Sequence, residues 1–79
     1  MKITVDDIES SMIKSFSFER KTLKDTSGVL NINFRNGFSY AYEDVSMFDF
    51  QYLIMTTDSI GVAFIFYIRN KYTNYRRTK

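Results

Sequence analysis

Leu30-Asn31-Ile32-Asn33-Phe34-Arg35-Asn36-Gly37-Phe38-Ser39-Tyr40-Ala41-Tyr42 is the stretch whose reading decides the fold. Apolar and polar side chains alternate on both sides of an Asn-Gly pair, the pattern of two half-buried antiparallel strands joined by a tight turn. The length of that turn sets the register. A two-residue Asn36-Gly37 loop pairs Phe34 with Ser39. Directly paired residues face the same side, so Phe38, Tyr40 and Tyr42 would then lie opposite Leu30, Ile32 and Phe34. A three-residue loop, Arg35-Asn36-Gly37 with Gly37 left-handed in a bulge, pairs Phe34 with Phe38, Ile32 with Tyr40 and Leu30 with Tyr42. It gathers six apolar side chains on one face, and it is the register expected.

Toward the N-terminus, Phe16 and Phe18 alternate with Ser15, Ser17 and Glu19, which gives a further strand starting at Ile13. A polar cluster ending in glycine, residues 24–28, turns it back. Residues 1–12 admit two readings. Thr4-Val5-Asp6-Asp7 has capping-box spacing and Val5, Ile8 and Met12 share a helical face, which suggests a short helix; the alternative is an extended arm beginning at Ile3. Toward the C-terminus, Val45 ends the sheet, and Ser46 reads as an N-cap with Asp49 in the reciprocal position. Met47, Phe50, Leu53 and Ile54 then follow helical spacing. Residues 60–68 suit a strand by propensity. Asp58-Ser59 as an N-cap favours a helix, which would run on through Tyr72 into the tail. The expected fold is therefore α+β: a three-stranded antiparallel meander packed by two C-terminal helices, with a short N-terminal helix or arm.

At 79 residues the chain is read as one domain, 1–79, near the lower limit for an unassisted core. Aromatic residues make up 18% of it, which compensates for the small size. The chain has no cysteine, so there is no disulfide, thiolate metal site or thiol nucleophile. It has no histidine, which removes the usual general base and the commonest metal ligand. Both absences point away from an enzyme, and no cofactor or metal is expected. Met1-Lys2-Ile3-Thr4-Val5 leads into acidic residues without an apolar signal region, and the longest apolar run is too short to span a bilayer. A cytoplasmic location without membrane contact is expected.

Taken in order, the pieces make a pattern. Ser10-Ser11-x-Ile13, Phe16-x-Phe18-Glu19, Leu30-x-Ile32-x-Phe34-x-Asn36-Gly37 and Tyr40-x-Tyr42-x-x-Val45 form its first half. Phe50-x-x-Leu53, Asp58-Ser59-x-Gly61-x-x-Phe64 and Ile68-Arg69-x-x-Tyr72 complete it. Over about residues 10–75 this resembles the KTSC domain, a short module named for the C-terminus of some lysyl-tRNA synthetases and found also as stand-alone bacterial and phage proteins. The resemblance implies a small antiparallel sheet followed by two helices, and so supports a helical reading of residues 60–75. This chain departs from the family pattern at Met12, where the family usually has Asn. It departs also at Phe18-Glu19, at Ser46 in place of Pro, and at Ile65 in place of another Asn.

Two surfaces are candidates for function. Residues 69–79 hold five of the eleven basic side chains and no acid, which leaves six basic against nine acidic residues in the rest of the chain. Arg69, Lys71, Arg76, Arg77 and Lys79 could contact phosphates while Tyr72 and Tyr75 stack on bases. A non-enzymatic nucleic-acid-binding module, RNA more than DNA, is one expectation. The bland reading is a solvated C-terminal helix with its cations at the negative end of the dipole. The second surface comes from the aromatic surplus. Phe48, Tyr52, Met55 and Tyr67 are the apolar residues expected to stay outside the core, the mark of an association surface. The matching expectation is a protein-interaction module, such as a small phage-encoded factor acting on a host or defence complex. A host protein with an acidic face, or a second copy of the chain, would be its partner. The acids Asp6, Asp7, Glu9, Glu43 and Asp44 read as solvated charges, and Asn31, Asn33 and Arg35 as the solvent row of a strand.

Overall fold

The hairpin closes through the three-residue loop. Phe34 N–H donates to Phe38 O at 2.9 Å, Gly37 N–H donates to Phe34 O at 3.1 Å, and Gly37 takes φ +94°, which glycine adopts without strain. Leu30 pairs with Tyr42 and Ile32 with Tyr40, as the single apolar face requires. The computed structural model describes residues 1–6, 8–22, 24–55 and 59–79. Among these, five strands form one antiparallel sheet in sequential order: β1 (Lys2–Val5), β2 (Ile13–Glu19), β3 (Ser27–Phe34), β4 (Ser39–Ser46) and β5 (Tyr75–Arg77). Helix α1 (Met47–Met55) follows β4 directly. Helix α2 (Ile60–Phe64) continues without a break as a π-helical segment, Ile65–Arg69.

Two corrections to the expected fold follow. Residues 2–5 form an edge strand on β2, so the extended arm and not the short helix describes the N-terminus; Asp7, the end of the supposed capping box, lies outside the described residues. The last helix stops at Arg69, and the basic tail returns as β5 beside β4, which makes five strands rather than three. The physical reason is pairing. β1 and β5 are short and lack a strong apolar alternation of their own, yet each finds an open sheet edge whose N–H and C=O groups need partners.

The register chains run across the whole sheet. Val5, Phe16, Ile32, Tyr40 and Arg77 form one row on the helix-covered face, and Ile3, Phe18, Leu30, Tyr42 and Tyr75 form another. The opposite face carries the row Thr4, Ser17, Asn31, Ala41 and Arg76. Two irregularities re-aim side chains. A register shift between Ile13 and Ser15 turns Ile13 into the core, and one opposite Gly28 and Leu30 does the same for Val45. The second places Asp44 at φ +53°, which Asp tolerates better than most residues.

Phe50 of α1 anchors the core: it stacks on Phe18 at 4.6 Å and meets Phe16 edge-on at 5.9 Å. Phe64 of α2 packs edge-on against Phe34 at 5.5 Å and Tyr42 at 5.8 Å. The row of Asn33 and its neighbours is not merely solvated. Asn33 Nδ2 donates to Ser15 Oγ at 2.9 Å, and Ser39 Oγ donates to Asn33 Oδ1 at 2.7 Å, tying three strands together. Arg35 donates to Ser10 O and Ile8 O, and so holds the segment before β2 against the hairpin.

At Gly28 a Cβ would sit 2.4 Å from the backbone oxygen of Glu19, whereas at Gly37 it would meet open space but a left-handed backbone. Gly28→Ala is therefore expected to lower unfolding free energy by about 2–3 kcal/mol, since β2 and β3 must part to admit it. Gly37→Ala should cost only about 1–2 kcal/mol of backbone strain. Urea denaturation of both variants checks the order; Gly37→Ala as the more damaging change would contradict it.

An aromatic cleft closed by a tyrosine hydroxyl

The strand β4 runs into α1 with no loop, so the first turn of α1 must find partners for its N–H groups at once. Ser46 Oγ accepts Phe48 N–H at 3.2 Å, as an N-cap does. The reciprocal half of the box is closed by a third residue. Asp49, one methylene shorter than the usual Glu, does not take the Ser46 N–H; Tyr72 does, accepting it on its hydroxyl at 2.8 Å. That hydroxyl donates in turn to Asp49 Oδ2 at 2.6 Å, and Lys71 Nζ donates to the same oxygen at 2.8 Å. Asp49 is buried, and its Oδ2 accepts both bonds. Burial pushes the Tyr72 phenol up and the bond to Asp49 adds to this, while the Ser46 N–H opposes it. Lys71 is held charged above its ordinary range by its bond to Asp49.

This node fixes where the chain leaves the helix. Tyr72 N–H also donates to Ile68 O at 2.8 Å, Glu43 N–H donates to Asn74 O at 2.9 Å, and β5 lies down along β4. Between the hairpin, β5 and the end of the π-helical segment a cleft of about 580 Å³ remains. Its walls are the rings of Phe34, Tyr40, Tyr42, Phe64, Tyr72 and Tyr75. Tyr75 lies 5.1 Å from Tyr42 and 5.9 Å from Tyr40, centre to centre. Arg69 is the cleft's cation, and Asn36 and Asn70 supply amides. Burial raises the Tyr42 phenol, Tyr75 adds to the effect and Arg69 opposes it.

The residues expected to grip a polyanion are thus dispersed. Lys71 and Tyr72 belong to the Asp49 node. Arg76 points to the opposite sheet face and forms an ion pair with Glu43, while Arg77 lies over the Phe38 ring at 4.9 Å. Lys79 exchanges backbone hydrogen bonds with Ser39. Arg69 and Tyr75 alone of the set line the cleft together with Tyr72. The C-terminal helix expected to carry them ends at Arg69, and strand geometry sends Arg76 and Arg77 to opposite sides. Among the described residues no three potential metal ligands converge.

The apolar side chains expected to stay outside the core are exposed. Phe48, Tyr52 and Met55 lie 61%, 58% and 74% exposed along α1, and Tyr67 stacks on Tyr52 at 5.2 Å. Phe66 (68% exposed) and Val62 are exposed too; they stand one helical turn apart, a pattern hidden while residues 60–68 could still be read as a strand.

A protein-family model described as the KTSC domain matches residues 9–72, so the chain belongs to that family. No curated protein matches the chain. Phe34, Asn36, Tyr40, Tyr42, Phe64, Arg69 and Tyr72, all part of the spacing pattern that carries the resemblance, line the cleft. Met12, one of the departures from that pattern, lies on the same wall and makes it more apolar.

Replacing Tyr72 by Phe strands the Ser46 N–H and removes a donor from Asp49, at an expected cost of about 1–3 kcal/mol by chemical denaturation. Both Tyr72 and Lys71 have folded-state pKa values raised above 10.0 and 10.5. Their stabilisation is therefore complete below pH 10 and is lost as pH rises through the raised values. Wild-type stability should fall above pH 10, and Tyr72→Phe should flatten that fall; a fall of unchanged steepness in the variant would contradict the assignment.

Proposed function

We propose that this KTSC-domain chain is a non-enzymatic association module that works by pairing its helical face with a second copy of itself. The supporting observation is the exposed, uncharged surface of Phe48, Tyr52, Met55, Val62, Phe66 and Tyr67. Six large apolar side chains held outside the core of so small a domain cost free energy in water, and covering them recovers it. From the roughly 150–250 Å² that an aromatic side chain buries when fully covered, the patch offers on the order of 600 Å² per copy. Stable interfaces take about 800 Å² from each partner, so the face together with its rim is of the right size.

Charge favours a second copy over the acidic-faced protein that composition suggested. Residues 59–68 carry no charge, and the single charged residue of α1, Asp49, is buried and turned toward Lys71. A two-fold contact sets the same patch against itself, and here it brings no like charges together. Neither residues 47–55 nor residues 59–68 carry a cation for an acidic surface to meet.

The nucleic-acid reading keeps Arg69, Tyr75, Arg77 and Lys79 but not the continuous helix that was to carry them. It depends on the cleft, a different surface from the helical face.

Sedimentation velocity over a concentration series from about 1 to 200 µM tests the pairing. A reversible dimer is the expected species at the upper end, and a Phe48→Ser, Phe66→Ser double variant should stay monomeric with its circular dichroism unchanged. A wild-type monomer throughout, or a double variant that pairs as well, would overturn the proposal; a different protein that the wild type binds and the variant does not would then be the occupant.

A further inference from the structure

The cleft beside β5 is built from side chains that the association reading leaves unused. Its volume of about 580 Å³ falls within the roughly 300–1,000 Å³ of small-ligand sites. Its walls are aromatic, and none of the described residues that line it is a carboxylate. The Arg69 side chain stands at this wall and makes no hydrogen bond or ion pair among the described residues. Neighbouring cations are neutralised locally: Lys71 by Asp49 and Arg76 by Glu43. A guanidinium left with its full set of donors next to a ring-lined space is arranged for an anion attached to something flat.

We propose that the cleft binds a nucleotide, its base among the tyrosine rings and its phosphate on Arg69, whether that nucleotide is free or is the exposed one of a single strand. Tyr75, half exposed at the mouth, offers a ring to stack on, which every base accepts irrespective of sequence. Phe38 N–H donates to Asn36 Oδ1 at 3.0 Å, and the Asn36 amide NH₂ stays available for a base edge; Asn70 lies on the same lining. The Tyr42 phenol, raised by burial, stays protonated at neutral pH and so remains a donor. Outside the mouth, Arg77 shares the sheet face of Tyr75 and Tyr40 and lies over Phe38. A second phosphate leaving the cleft along β5 would meet it. A peptide carboxylate could also satisfy Arg69, but it would make no use of two amides beside flat walls.

Amide NMR titration of the full chain with AMP, adenosine and inorganic phosphate separates these contributions. AMP should shift Arg69, Tyr42 and Tyr75 saturably, with an affinity at least about ten-fold above adenosine or phosphate alone. Arg69→Gln breaks no internal bond, and should weaken AMP about ten-fold or more while the melting temperature holds. Tyr75→Ser should weaken AMP and adenosine alike. A single-stranded hexa-adenylate distinguishes the sources. Tighter binding than AMP with a steep salt dependence, and displacement by AMP, marks the exposed nucleotide of a strand; equal binding marks a free nucleotide. No saturable shift at about 10 mM AMP, shifts confined to other surfaces, or hexa-adenylate binding indifferent to Arg69→Gln would overturn the proposal. The Phe48→Ser, Phe66→Ser variant should bind AMP unchanged, so the cleft and the helical face fail or stand separately.

Discussion

The hydroxyl of Tyr72 ties together the end of β4, the first turn of α1 and the segment that follows the π-helix. It accepts the last N–H of β4, donates to the first-turn carboxylate of α1, and belongs to the segment that has just left the π-helix. Without it, the strand-to-helix junction at Ser46 and Met47 has an unpaired N–H, and Asp49 is a buried carboxylate with one donor fewer. Both are costly in a domain that hides so little surface. With it, the tail is delivered to the free edge of β4, and one row of the sheet gains Tyr75 while the next gains Arg77. The cleft follows as the space left between that edge and the helix end.

Much of this was legible in the sequence. The hairpin register followed from one requirement, that six apolar side chains share a face, and the structure has it. Phe16 and Phe18 of β2 and Phe50 and Leu53 of α1 are the core positions that periods of two and of three to four pick out, whereas Ile54, on the same helical spacing, is 43% exposed. The exposure of Phe48, Tyr52, Met55 and Tyr67 followed from counting rings against the space available to hide them, while that of Val62 and Phe66 did not. Ser46 and Asp49 were recognisable as a cap, but the spacing gave no hint that a residue twenty-six positions later closes it. Long-range hydrogen bonds of this sort leave no periodicity to read.

The tail was misread for a related reason. A run of cations and tyrosines after an apolar helix looks like more helix, because charge at a helix C-terminus is favourable and strand pairing is invisible until an edge is known. β1 and β5 are strands by virtue of their neighbours, with little propensity of their own. The π-helical stretch and the two bulges are likewise outcomes of packing. Ile13 and Val45 reach the core only through a locally broken register, which alternation cannot announce. The sheet's two faces then divide the chemistry: aromatic rings and Arg69 on the helix side, a ladder of Ser15, Asn33 and Ser39 with Arg76 and Glu43 on the other.

Amide hydrogen exchange reports most directly on whether Tyr72 holds the tail strand in place. In the wild type, the amides of Ser39 and Glu43, which donate to Lys79 O and Asn74 O, should be protected well above the level of a frayed terminus. In Tyr72→Phe, protection at these amides should fall selectively, while the Leu30 to Tyr42 pairing of the central hairpin keeps its own. Rapid exchange at Glu43 in the wild type, or identical protection there in both proteins, would contradict the role given to Tyr72.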